Sequence, residues 1–343
     1  MKIVLDGIAF SLQSKGGVTM YFSQILRAIK RISPVTLIND FNSNNIYHQG
    51  SEGSVSSLRL VLLRYGHNNY KSTEKYIFHS SYFCVSKNKK AINVLTIHDC
   101  MYEIYYPVLK KKLHIWQKKR ALKRSAGIIC VSENTKKDLY KFYPEIKGKD
   151  IKVIHHGLSS DFHPLPEIPK EKIILYVSGR KFYKRFGLVV ESMVKLVDYR
   201  LVIVGGGSLE DDELAALACI DSRYTHLTNL SNSELNAIYN RSHCLVYTSS
   251  YEGFGLPLLE SIGAGCPVIC ENNSSLSEVV GNDYALLVSE LTTNIVYNKV
   301  LALEEDSFRA NVVDQGVKFA KNFCWDDKAR QLYEFYETMY KKY

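Results

Sequence analysis

Two glutamates, Glu252 and Glu260, bracket the stretch TSSYEGFGLPLLESIGAGCPVIC at residues 248–270. The stretch opens where an apolar run, Cys244–Tyr247, stops. Small polar residues followed by Gly-Phe-Gly and Leu-Pro read as a strand, a tight loop and a helix start. Pro257 suits the first helical turn, where its missing N–H costs nothing. Gly263 and Gly265 end that helix, and Pro267 opens a further strand, Val268–Cys270. The loop then lies at the carboxyl end of a strand, where open parallel sheets bind ligands. Its N–H groups at a helix start suit phosphate or polarised hydroxyls. One carboxylate precedes the helix and the other lies within it.

Cations follow another predicted strand, Ile173–Val177: Gly179-Arg180, then Tyr183-Lys184-Arg185. A guanidinium offers forked contacts to a diphosphate and an ammonium offers a mobile point charge. Strand Ala91–Ile97 ends in His98-Asp99, an imidazole and a carboxylate where parallel sheets place chemistry. Gly16-Gly17 precedes a predicted helix, Val18–Arg31, and lets backbone approach a ligand. Gly205-Gly206-Gly207 lacks the spacing and downstream acid of a nicotinamide site. Adjacent His155-His156 make a poor zinc site, because neighbouring imidazoles rarely converge on one metal. No Asp-x-Asp occurs anywhere, so a metal-bridged diphosphate is not expected.

Glu252, seven residues and Glu260, around GFGLPLLE, resemble the E-x7-E signature of family 4 retaining glycosyltransferases of the bacterial surface-polysaccharide type. The resemblance covers nearly the whole chain; it is strongest over 173–288 and weakest over 40–75. It implies the GT-B fold: α/β, two Rossmann-like doubly wound parallel-sheet domains facing a deep interdomain cleft. It implies transfer of a hexose from a nucleotide sugar to a saccharide or polyprenyl-linked acceptor, in O-antigen, capsule or lipopolysaccharide synthesis. Arg-x-x-Tyr-Lys-x-Phe at 180–186 is similar to mannosyltransferases, which points to GDP-mannose. By the same resemblance, Arg180 and Lys184 hold the donor phosphates, with Arg185 able to share that role. Glu252 and the backbone of Gly253, Phe254, Gly255 and Leu256 hold the sugar or phosphate, and Glu260 takes the ribose hydroxyls. Leu230, with Asn229–Ser231, meets the base, and Gly17 meets the donor. Gly16, Gly17, His98 and Asp99 line the acceptor side. His98, Arg180, Lys184 and Glu252 are the catalytic candidates. No metal or other cofactor is expected. Two other readings remain: a nucleotide-sugar epimerase of the same shape, and a non-catalytic nucleotide-sugar binder at a membrane surface.

The elements that must position these residues can be read from the rest of the chain. With 343 residues, 46% hydrophobic and 23% charged, the sequence suits two globular domains. No apolar run approaches the roughly 20 residues of a membrane helix. Asp6 interrupts the first apolar stretch, which reads as a strand rather than a signal peptide. Eight scattered cysteines without a C-x-x-C pair read as reduced thiols of a cytoplasmic protein. Residues 1–165 carry net charge +15 and residues 166–343 carry −6, as expected of domains that meet different partners. The prolines of His163–Lys172 mark the boundary. An acceptor domain then spans 1–165, joined by a C-terminal helix at about 327–343, and a donor domain spans 166–326. Gly7–Gly17 and the polar stretch 40–57 read as loops, the latter exposed. Ser132 and Ser231 read as helix caps. Residues 108–126 hold eight Lys/Arg and no acid. Two readings stand for this segment: a solvated helix face, or a basic face over 110–124 that meets anionic lipid. No nucleic-acid module is present.

Overall fold

The computed structural model describes every residue except Ser14, Lys15, Asn42, Glu52, Ser54 and Asn69, and omits the side chains of Ser57, Leu62, Val108, Leu109 and Lys110. Parts of the Gly7–Gly17 loop, of the 40–57 stretch and of the basic segment therefore lie outside the described residues. The chain forms two compact units, Met1–Gly157 with Trp325–Tyr343, and Leu158–Cys324.

The first unit holds a six-stranded sheet of β1 (Lys2–Asp6), β2 (Val35–Ile38), β3 (Tyr76–Ser80), β4 (Ala91–Ile97), β5 (Gly127–Cys130) and β6 (Asp150–Val153). All pairs are parallel, in the order β2-β1-β3-β4-β5-β6. Both faces are covered, so β3 is buried along its whole length, the apolar Tyr76, Ile77 and Phe78 being followed by the buried polar His79 and Ser80. Helix Gly17–Ile32 turns Phe22, Ile25, Leu26 and Ile29 inward. The C-terminal helix, Trp325–Lys342, packs on it and on β3 through Leu332, Phe335, Tyr336 and Met339. Gly127 permits this approach: a Cβ there would lie 2.8 Å from the Phe335 ring.

The second unit holds β7 (Ile173–Val177), β8 (Arg200–Val204), β9 (Tyr224–Leu227), β10 (Cys244–Tyr247), β11 (Val268–Glu271) and β12 (Leu287–Val288). These are again all parallel, in the order β12-β11-β10-β7-β8-β9. The chain order reverses between β7 and β10, which makes that junction the switch point of a doubly wound sheet.

Several sequence expectations change. The unit boundaries fall at 157/158 and 324/325 rather than at 165/166 and 326/327. Residues 158–165 give their backbone donors to the second unit: Leu158 to the Phe323 carbonyl, His163 to Asn236 and Leu165 to Asn240. A short helix, Ile8–Leu12, occupies the expected loop after β1. Five residues are too few to show a helical period. Within 40–57, Asp40, Phe41 and Asn45 are buried rather than exposed. His48 and Ser51 bond the Asp40 carboxylate there. Of the strand expected at 285–288, only Leu287–Val288 pairs. Among the described residues, no helix is long and apolar enough to cross a membrane.

Candidate active site

The loops after β7 and β10 meet at the switch point of the second unit, and they carry most of the residues singled out above. Gly255, at φ +105°, sets the sharp entry to helix Leu256–Gly263, with Pro257 in its first turn. Ser275 Oγ donates to the carbonyls of Glu252 (3.1 Å) and Phe254 (2.9 Å), fixing the loop between them. Glu252 Oε1 accepts from Lys184 Nζ and from the Tyr247 hydroxyl. Burial and the Glu252 carboxylate raise the Tyr247 phenol well above its usual range, so it stays a donor. Lys184 is itself anchored, its carbonyl accepting from Thr248 Oγ1 at 2.5 Å. The Lys184–Glu252 pair is partly accessible, at 13% and 12% of the side chains. Arg185, held at φ +48°, donates to the Thr248 carbonyl at 2.6 Å and to Glu271 at 2.5 Å.

Glu260 lies one helical turn into Leu256–Gly263 and accepts from the Tyr239 hydroxyl at 3.1 Å. Burial, then the nearby Glu260 charge, lifts the Tyr239 phenol far above its normal value. Thus the two glutamates of the motif have different partners. Leu230 follows the left-handed Asn229 and precedes Ser231. Ser231 caps helix Asn232–Arg241 in a reciprocal box with Glu234.

Arg180 lies in the loop after β7, with its guanidinium engaged by protein partners. Its side chain is 2% exposed. Nε donates to Glu213 at 2.8 Å, Nη1 to the Gly205 carbonyl at 2.6 Å, and Nη2 to the carbonyls of Gly206, Gly207 and Ser208 at 2.7–3.2 Å. The three glycines take φ of +88°, +82° and +73°, a turn that aims its carbonyls at the guanidinium. Arg180 therefore braces the turn after β8 in this structure, and a phosphate would have to displace those partners. Glu213 lies 33 residues further on, beyond the reach of any local spacing.

In the first unit, Gly16 and Gly17 stand at the start of helix Gly17–Ile32, where Thr19 Oγ1 returns a hydrogen bond to the Gly16 carbonyl. His98 follows β4. Its ring meets Tyr21 edge-on at 5.1 Å and lies near Phe22 and His156. Burial, reinforced by the Lys118 charge, depresses its pKa to about 3, so the imidazole is neutral. Its Nε2 is buried and has no hydrogen-bond partner among the described residues. Asp99 Oδ1 accepts from the Met101 N–H at 3.0 Å and so turns the chain into helix Met101–Tyr105. Behind His98, His79 hydrogen-bonds Tyr336 and Thr96, and Thr96 in turn bonds Tyr21. Sequence reading missed His79, Tyr21 and Lys118. It used Asp6 only as a break in an apolar run, yet Asp6 ends β1 buried, and burial raises its pKa to about 6.

The basic segment is also reassigned in part. Helix Val108–Arg124 exposes Lys112, Lys119, Lys123 and Arg124 beside Leu113 and Trp116, but Lys118 is buried.

Residues 160–318 match the family model of glycosyl transferases group 1, and residues 76–162 match that of Glycosyltransferase Family 4. The two matched stretches together span residues 76–318, and over them the chain is similar to the group 1 and family 4 glycosyltransferases. The O-antigen chain mannosyltransferase B of Escherichia coli is 27% identical over 294 residues, 77% of this chain and 74% of that protein. The sucrose-phosphate synthase of Thermosynechococcus elongatus superposes with a TM-score of 0.77 at 18% identity, covering 100% of both chains. HepE of Anabaena, solved with UDP-glucose, gives 0.73 at 14% identity over 98% of this chain and 100% of its own. The fold is therefore GT-B, and the activity is glycosyl transfer. The matched models and relatives are transferases, which leaves the epimerase reading without support.

Proposed function

We propose that this glycosyltransferase is a retaining hexosyltransferase of family 4 that carries a sugar from a nucleotide sugar to a saccharide or lipid-linked saccharide acceptor. GDP-mannose is its first candidate donor, and surface-polysaccharide assembly its setting. The observation that carries this is the Lys184–Glu252–Tyr247 cluster at the switch point of the second unit. The mannosyltransferase relative supports the choice of sugar.

Breaking the sugar–phosphate bond builds positive charge at the anomeric carbon and negative charge on the departing diphosphate. Lys184 exchanges Glu252 for the diphosphate, which leaves with the electron pair of the broken C–O bond. Glu252, freed, takes donor-sugar hydroxyls. The helix start at Gly255–Leu256 offers N–H groups to the same end of the donor. Glu260 takes the ribose hydroxyls, and Leu230 packs beside the base. On the acceptor side, Gly16 and Gly17 leave room for backbone approach, and the neutral His98 and Asp99 orient the receiving hydroxyl. The new C–O bond forms on the face that the phosphate leaves, and the hydroxyl proton passes to a phosphate oxygen. Arg180 acts through the Gly205–Ser208 turn. No step calls on a metal.

The test is a panel of nucleotide sugars read by thermal stabilisation and by transfer to lipid-linked saccharides, with and without chelator. Transfer from GDP-mannose that persists in chelator is the expected result. A strict need for a divalent ion would reject the metal-free mechanism, and donor binding without turnover on every acceptor would reject the enzyme. We also place the exposed face of Val108–Arg124 on anionic lipid. Neutralising Lys112, Lys119, Lys123 and Arg124 should then abolish salt-sensitive binding to acidic vesicles, and unchanged binding would discard this placement.

A further inference from the structure

Lys118 is the residue of the basic helix that the sequence reading misjudged. Its side chain is 1% exposed, and Nζ lies 2.9 Å from Glu103 Oε1, whose side chain is 3% exposed. The same ammonium donates to the Asp99 carbonyl at 2.8 Å and reaches Cys100 Sγ at 3.7 Å. Its three N–H groups thus match three acceptors, Asp99 and Cys100 in the turn after β4 and Glu103 in helix Met101–Tyr105 that follows. Glu103 Oε1 also accepts from the Tyr143 hydroxyl at 2.5 Å. Burial alone would raise the Glu103 pKa, but Lys118 and Tyr143 hold it below the ordinary range, so the pair is ionic.

Packing does not explain the pair. Replacing a buried ion pair by apolar side chains of similar volume is often neutral or stabilising, because desolvation offsets the attraction. What an apolar pair could not supply is a directed hydrogen bond to one carbonyl. That carbonyl belongs to residue 99, one peptide unit beyond His98.

We propose that Lys118, held by Glu103, is a positioning residue for His98: it fixes the backbone of 98–100 and so holds the imidazole in one orientation against Tyr21 and His156. This deepens the acceptor role given to His98 above and rests on it.

The test is the paired substitution K118M/E103L, which removes both charges together and should fold at least as well as the parent. Transfer kcat should fall about tenfold while the donor KM changes less than about twofold. Added to His98→Ala, the pair should cause no further loss. Wild-type kcat in the folded pair variant, or losses that multiply with those of His98→Ala, would overturn the proposal. So would loss in the pair variant with none in His98→Ala, a result that would also remove His98 from the acceptor site. A readout without turnover keeps the two questions apart. The imidazole NMR signals of His98, identified by their absence in His98→Ala, should shift in the pair variant, while those of His243 in the second unit stay fixed. Unmoved His98 signals would refute the clamp even if the protein transferred no sugar.

Discussion

The two units share one sheet type, yet they treat charge at their strand ends in opposite ways. The first unit gathers neutral imidazoles, His79, His98 and His156, each depressed by burial. Its one described ion pair beside them, Lys118–Glu103, is sealed. The second unit sets out charges paired but partly accessible: Lys184 with Glu252 and Arg185 with Glu271. Parallel topology decides where the ends of the strands lie, and the residues placed there decide the chemistry. A neutral ring can orient a hydroxyl without attracting an anion. Accessible ion pairs can trade a carboxylate for a diphosphate at little cost in rearrangement, which is the electrostatic preorganisation that charge-separating reactions need.

The sharpest way to break this contrast is to remove the mobile cation. Lys184→Ala should slow transfer by about 100-fold or more, near 3 kcal/mol in the barrier. His98→Ala should cost less, because orientation of a neutral hydroxyl involves less charge. A purified, folded Lys184→Ala enzyme with near-normal kcat, or a His98→Ala enzyme that is the worse of the two, would invert the assignment.

Acidification should separate the units next. His79 and His98 titrate near 3 when folded, and His114 near 4, each depressed first by burial; an unfolded histidine titrates near 6.5. His156 is depressed in the same direction. The unfolded chain therefore binds protons that the folded chain refuses, and stability falls as pH drops below 6.5. Asp6 works the other way, since its folded value of about 6 exceeds the usual 3.8. The balance of four histidines against one carboxyl is about three protons, a loss of roughly 4 kcal/mol per pH unit between about 6 and 4. His243, depressed to about 4, is the corresponding group in the second unit. Both tryptophans, Trp116 and Trp325, belong to the first unit. Their fluorescence should change at higher pH than any probe placed in the second unit, and a single coincident transition would refute the contrast.

Legibility in the sequence followed the range of the interaction. Strands such as Ile173–Val177 were readable because a parallel strand covered on both faces must be apolar throughout. Glu252 and Glu260 could be placed because one loop and the helix after it fix their spacing, and Lys184 because it closely follows an apolar strand. Ser132 and Ser231 were readable as caps because a cap bonds its own helix. Lys118 was not, because among eight cations on one segment only the packing of distant Glu103 and Tyr143 distinguishes the buried one. Arg180 sat in the expected loop, but its partners are Glu213 and the turn after β8, which local spacing does not reveal.

Asp6 sharpens the account of the first unit. A carboxylate buried at the end of β1 accepts from the Asn39 amide at 2.7 Å and from the Ile8 N–H at 3.3 Å. These bonds do not offset its desolvation, so its pKa remains raised. Asp6→Asn keeps acceptors for both and removes the charge. It should stabilise the protein by about 2 kcal/mol at pH 8, with the gain fading as pH falls through 6 toward 4. Denaturant unfolding at the two pH values reads this directly. A loss of stability at pH 8 would show that the ionised carboxylate is worth its burial.

The smallest expected effect bears on the second unit's other cation. Bracing a turn and holding a phosphate predict different losses for Arg180→Ala. As a brace, Arg180 leaves behind Glu213, 12% exposed, and four carbonyls that lose their donor. Stability should then fall and the donor KM rise, with kcat/KM down about tenfold, or near 1.4 kcal/mol. Glu213→Gln keeps an acceptor for Nε and should reproduce little of this. A direct phosphate contact predicts the reverse pattern: unchanged thermal stability with kcat down by about 100-fold, as for Lys184→Ala. That outcome would mean the guanidinium leaves its glycine turn when donor binds, and the second unit would then commit two cations rather than one to the leaving group.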